Sequence, residues 1–170
     1  MSEPVFDPKA ILRVLQQHNV EFIVVGLVAA IAHGSPIATR DLDVTPAPAA
    51  DNYERLATAL TDLDAKLRLP DGTGIEFPID AGYLAGNTAW TLLTRFGVLD
   101  LVYAPAGTRG FEDLRRQGVL LDLGIGKPVL VASLIDVIRM KEAAGRLKDE
   151  AVLPALRQTL EEIRTREVRG

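Results

Sequence analysis

The stretch from Phe22 to Thr45, FIVVGLVAAIAHGSPIATRDLDVT, constrains the fold more than any other part of the chain. It opens as an apolar, β-branched run, Phe22 to Val25, of the kind that forms a strand buried on both faces. Gly26 ends that run, as a strand-to-helix turn with close backbone approach requires. Leu27 to Ala32 has room for two helical turns, stopped by His33-Gly34 and Ser35-Pro36. A second strand, Arg40 to Thr45, is closed off by Pro46 and Pro48. In it Asp41 and Asp43 stand two residues apart, so they share one face of the strand at about 6.6 Å, while Leu42 and Val44 point into a core. Carboxylates fixed side by side repel one another unless a cation lies between them, and such pairs are the usual hard-oxygen holders of Mg²⁺. The competing reading is a solvated edge strand, because the DxD string is common.

Two further residues stand out against their surroundings. Asp100 sits alone among Val98, Leu99, Leu101 and Val102, and a buried carboxylate costs several kcal/mol unless paired or bound to a cation. It is either an exposed or Arg-paired acid, or a third member of the acidic group if its strand lies beside Asp41 to Thr45. Three converging carboxylates make a two-Mg²⁺ site for phosphoryl or nucleotidyl transfer. Lys141 continues the apolar stripe of Leu134, Val137 and Ile138, so it either snorkels outward or reaches a buried anion such as a triphosphate. Arg146, Lys148 and Asp149 follow it, Asp149 as a candidate N-cap of the last helix.

The remaining motifs are softer. Ser35, Thr39 and Arg40 lie in the loop entering the acidic strand and are either phosphate contacts or turn residues. His33 reads as a core or capping histidine. The start of the helix after Gly26 would point free N–H groups at a phosphate. There is no GxxxxGK[ST] and no GxGxxG, so P-loop and Rossmann readings lack their fingerprints.

The 170 residues suit one domain, with 48% hydrophobic and 25% charged residues. A net charge of −4 and a pI near 5.2 argue against general nucleic-acid or anionic-membrane binding. The absence of cysteine removes disulfides, thiolate zinc sites and cysteine nucleophiles. With two histidines, a multi-His metal site is disfavoured. The apolar run Phe22 to Ala32 is too short to span a bilayer, and the N-terminus lacks a signal-peptide core, so a cytoplasmic protein is expected.

Elsewhere, Asp7-Pro8 predicts a helix start. Asp51 is expected to cap a helix from Asn52 to about Leu67. Residues 69–86 read mostly as loop, with a short strand at Ile75 to Phe77. Trp90 to Phe96 and Val98 to Tyr103 form a hairpin about Gly97. A helix over Phe111 to Gln117 and strands at Val119 to Leu123 and Pro128 to Val131 lead to a helix capped by Ser133. The last helix is expected over about Asp149 to Arg166, kinked or broken at Pro154. Its Arg157, Arg164, Arg166 and Arg169 are interspersed with Glu161, Glu162 and Glu167, which reads as a solvated, salt-bridged surface.

Taken in order, Val24-Val25-Gly26, Ala29, His33-Gly34, Thr39-Arg40-Asp41-Leu42-Asp43, Arg95 to Val102, Leu134-Ile135, Lys141, Ala143, Gly145-Arg146 and Lys148-Asp149 resemble the minimal nucleotidyltransferases of the DNA polymerase beta superfamily. The nearest branch is the AbiEii-like group, which includes toxins of bacterial toxin–antitoxin systems. The resemblance covers roughly residues 20 to 150. It implies an α+β fold, a mixed β-sheet flanked by helices, with C-terminal helices over about 133–166 completing the cleft. It implies Mg²⁺ on Asp41, Asp43 and Asp100, with Asp100 alternatively the base on the acceptor hydroxyl, and Lys141 on the triphosphate of an NTP such as ATP. Gly26, Leu27, Thr39, Arg40, Arg146 and Asp149 complete the nucleotide-binding set it implies. The acceptor would be tRNA or protein, and a cognate antitoxin a partner. The family has Gly-Gly or Gly-Ser where this chain has Gly26-Leu27, so only a backbone N–H is offered at position 27.

Overall fold

A computed structural model describes residues 4–170. Helix α1, Pro8–Gln17, starts where Asp7 accepts the Ala10 N–H at 3.0 Å and Pro8 fills the first turn. Its buried stripe is Ile11, Leu12, Val14 and Leu15. Strand β1, Phe22–Val25, is buried along its whole length. The chain turns at Gly26 into α2, Gly26–Ala32, which His33 ends. Strand β2, Asp41–Pro46, alternates as its sequence does: Leu42 and Val44 are fully buried, while Asp41 and Asp43 are half-buried on the other face.

Helix α3, Ala50–Asp62, differs from expectation at both ends. Ala49 is the N-cap without a side-chain bond. Asp51 lies one residue inside the helix and binds Arg55 at 3.1 Å instead. The helix stops at Asp62 rather than near Leu67, because Asp64 takes a left-handed turn (φ 51°) and Lys66–Arg68 leaves as strand β3. Strand pairing with a distant segment thus overrides the local helical stripe. Strand β4 is only Gly74–Ile75. A short helix, α4, Ala81–Ala85, lies in the stretch read as loop; Asp80 caps it, accepting the Tyr83 N–H at 2.8 Å.

The expected hairpin is formed by β5, Ala89–Thr94, and β6, Gly97–Val102, with Gly97 at φ 104°. Helix α5, Phe111–Arg115, is followed by β7, Val119–Leu121, and β8, Val129–Val131. Ser133 caps α6, Leu134–Ala144, accepting the Asp136 N–H at 3.1 Å. Gly145, left-handed at φ 61°, ends α6 and turns the chain into α7, Leu147–Arg169. The expected break at Pro154 does not occur: α7 runs through it. Leu153 and Leu156 on either side are buried, and that packing holds the helix together although the proline lacks the N–H that would bond residue 150.

Among the described residues the strands form one mixed sheet in the order β4-β3-β5-β6-β2-β1-β8-β7. Strand β2 pairs antiparallel with β1 and parallel with β6. Val24, Leu42, Leu92, Leu99 and Leu101, all wholly buried, share one face of these strands and fill the core beneath it. The architecture is the expected α+β one, a mixed sheet flanked by helices.

Candidate active site

The parallel pairing of β2 with β6 places Asp43 directly opposite Asp100, with Asp41 opposite Val98. Since side chains alternate along both strands, all three acids emerge on one face while Leu42, Leu99 and Leu101 are buried on the other. One carboxylate oxygen from each lies within 4.8 Å of the other two. Thr39, just before the strand, donates its hydroxyl to Asp41 Oδ1 at 2.7 Å and fixes that carboxylate.

Gly26 faces this cluster. Its φ is +66°, and a Cβ there would overlap Asp43 Oδ2 and come within 2.9 Å of Asp43 Cγ. Only glycine leaves room for the carboxylate against the β1–α2 turn.

The electrostatics of three crowded acids are unfavourable without a cation. Burial foremost, then the charges of Asp41 and Asp100, push the Asp43 carboxyl up to about 8, with Lys141 pulling the other way. Asp100 is raised too, mainly by burial. Asp100 Oδ1 is buried and has no hydrogen-bond partner. An orphaned buried oxygen beside two further carboxylates is a hard, oxygen-only donor set, and it fits Mg²⁺.

The cluster forms one wall of a cleft of about 600 Å³. Gly26 and Leu27 line it at the turn, and Trp90 and Thr91 on β5. Lys141, Arg146, Lys148 and Asp149, from the α6–α7 junction, line it as well. Lys141 does not snorkel: its side chain is 15% exposed and its Nζ binds Asp149 Oδ1 at 3.1 Å. Asp149 is wholly buried and is not the N-cap; it sits in the first turn of α7 and accepts the Arg146 backbone N–H at 3.2 Å and Arg146 Nε at 2.7 Å. Burial would raise its pKa, but the bonds from Arg146 and Lys141 outweigh that and hold the carboxyl at about 2. A larger hollow of about 720 Å³ lies between His33 and the far part of α7, but it is open and contains none of the three clustered acids.

Of Ser35, Thr39 and Arg40, read as either phosphate contacts or turn residues, none lines the cleft, and the Thr39 hydroxyl is taken up by Asp41. Ser35 is buried and donates to Thr159 Oγ1 at 2.9 Å, tying the loop before β2 to α7. Arg40 is exposed and is not part of the cleft lining. His33 has the capping place expected of it, with Nε2 2.8 Å from the Ala132 carbonyl oxygen. Thr91 is a cleft residue that sequence reasoning did not single out, and Lys148 is one that it quoted in the resemblance without giving it a role. Thr91 could have been found by counting back from the hairpin turn: pairing of Thr94 with Gly97 sets Thr91 opposite Asp100.

No family model matches the sequence, and no curated protein does. Solved structures do match. A Thermotoga maritima protein, provisionally named a nucleotidyltransferase, is 17% identical over 94% of this chain and 97% of its own, with a TM-score of 0.51. A looser likeness, 14% identical over 94% of each chain with a TM-score of 0.47, is to the antibiotic-resistance factor ANT(2'')-Ia. The likeness to the Thermotoga maritima structure gives the chain the nucleotidyltransferase fold.

Proposed function

We propose that the protein is a Mg²⁺-dependent nucleotidyltransferase that moves an NMP from an NTP to an acceptor hydroxyl and releases pyrophosphate. The observation that carries this reading is the convergence of Asp41, Asp43 and Asp100 within 4.8 Å of one another. They share the cleft with Lys141, Arg146 and Lys148. Acids and cations lining one cleft suit a phosphate chain that is anionic at every unit and needs both counter-charge and metal.

In this reading the acceptor oxygen attacks the α-phosphorus as the bond from that phosphorus to the bridging α–β oxygen breaks. The electron pair leaves with pyrophosphate. Lys141, Arg146 and Lys148 bind the β- and γ-phosphates and so stabilise the leaving group. Asp100 receives the acceptor hydroxyl's proton. Gly26 admits the nucleotide close to the backbone, and Leu27 offers its N–H. Bound on Asp41, Asp43 and Asp100, the divalent ion would neutralise charge on the α-phosphate and align the attacking and leaving oxygens.

The resemblance to the AbiEii-like branch supports tRNA or protein as the acceptor and a toxin–antitoxin setting with a cognate antitoxin, and the short apolar run and the N-terminal sequence support a cytoplasmic location. Among the described residues no helix is long and apolar enough to cross a membrane. Incubation with α-³²P-labelled NTPs, Mg²⁺ and cell extract tests the proposal. A labelled macromolecule is expected with the wild type and none with Asp43→Ala; equal labelling with both contradicts it.

Leu27 favours a second reading, a nucleotide-binding module without turnover, because the side chain that lines the cleft there has no hydroxyl. Metal-dependent NTP binding by calorimetry, with no product in any extract, would support it.

A further inference from the structure

Asp149 is the most heavily bonded carboxylate in the cleft. It is wholly buried, yet it accepts from Lys141 Nζ at 3.1 Å, Arg146 Nε at 2.7 Å, Arg146 Nη2 at 3.3 Å and the Arg146 backbone N–H at 3.2 Å. The backbone bond is ordinary capping of α7. The Lys141 bond is not, because it comes from the preceding helix across the Gly145 turn. With its lone pairs engaged by the protein, Asp149 has nothing to offer a phosphate and as an anion would repel one.

From this we infer that Asp149 is a positioning residue: it holds Lys141 and Arg146 together on the cationic side of the cleft before any nucleotide arrives. The inference rests on the nucleotidyltransferase reading. Two cations sharing one carboxylate would repel each other without it. Arg146, 59% exposed along its side chain, would then be free to swing out to water. Asp149 shields that repulsion and fixes both donors, so binding the triphosphate requires less ordering. Its simple field effect has the opposite sign: an anion near the site weakens phosphate binding, so removing it would tighten binding. The direction of the change on substitution therefore separates the two roles.

The test uses the full chain and two probes, Mn²⁺ alone and Mg²⁺ with inorganic tripolyphosphate, alongside a non-hydrolysable NTP. Asp149→Asn keeps the shape and the cap. It is expected to weaken tripolyphosphate and NTP-analogue binding about tenfold, as loss of a charge-assisted contact implies. Mn²⁺ affinity should stay within about twofold. In a Lys141→Met background the same substitution should cost clearly less than in the wild type, because only Arg146 is left for Asp149 to position. Unchanged or tighter tripolyphosphate binding, an equal loss in both backgrounds, or a parallel loss of Mn²⁺ binding would each overturn the assignment. Should Asp149→Asn not fold, Asp149→Glu takes its place in the same cycle, and a loss that is undiminished beside Lys141→Met overturns the assignment. If the wild type binds Mn²⁺ but neither tripolyphosphate nor the NTP analogue, the nucleotidyltransferase reading itself fails and this one falls with it. Normal wild-type binding with an indifferent Asp149→Asn removes this inference alone.

Discussion

At the scale of the residue, crowding at Asp43 sets most of the site's properties. The Gly26 backbone leaves no space for a side chain between itself and that carboxylate. Gly26→Ala is therefore expected to cost about 1–3 kcal/mol of stability, from a strained positive φ and displacement of Asp43. Urea unfolding measures the cost, and Mn²⁺ binding should fall with it. The Asp43 carboxyl, raised to about 8, also has a pH signature. Because the folded value lies above the ordinary one, the contribution of this group to stability is fully present at low pH. It is lost as pH rises from about 4 through about 8. In chelator, Asp43→Asn should gain at least about 2 kcal/mol relative to wild type between pH 5 and pH 8, by calorimetry. A change in the opposite direction would mean that burial and the neighbouring acids do not raise the Asp43 carboxyl. Much of this was legible in the sequence: DxD on an alternating strand, a lone Asp in an apolar strand and a glycine after a buried run are each anomalies with a cause. For Ser35 and Arg40 the sequence left two readings open, because a loop residue's direction depends on what packs against the loop, here Thr159 for Ser35.

At the scale of the element, local signals held where the element satisfies itself and failed where a distant partner competes. The Asp7-Pro8 start, the hairpin about Gly97 and the Ser133 cap all depend on neighbours a few residues away. The end of α3 does not. Its apolar stripe continues to Leu67, but Lys66 and Leu67 pair with Leu93 and Leu92 on β5, and sheet hydrogen bonds prevail. Pro154 shows the converse, a local breaker overruled by burial of Leu153 and Leu156. Pro154→Ala should therefore stabilise the protein by about 1–3 kcal/mol, restoring the bond to the residue 150 carbonyl in an otherwise unchanged helix. A higher urea midpoint with unaltered nucleotide binding is the expected result. A loss of stability would show that the proline shapes α7 in a way its packing needs.

At the scale of the whole molecule, the site exists because the sheet brings β6 beside β2, and β5 beyond it, while the α6–α7 junction meets the same cleft. No local pattern gives that strand order; it came within reach only through the resemblance of ordered motifs. The molecule carries a net charge of −4, yet Lys141, Arg146 and Lys148 gather in the cleft that holds the acids. In the proposed function, that separation of charge within one cleft serves a metal and its polyphosphate. The most direct test is Mn²⁺ binding to the wild type and to Asp41→Asn, Asp43→Asn and Asp100→Asn, followed by electron paramagnetic resonance. Each substitution should weaken binding at least about tenfold, since each removes one charged ligand from a shared ion. Wild-type affinity in Asp100→Asn would contradict the account, because β6 would then contribute nothing to the metal.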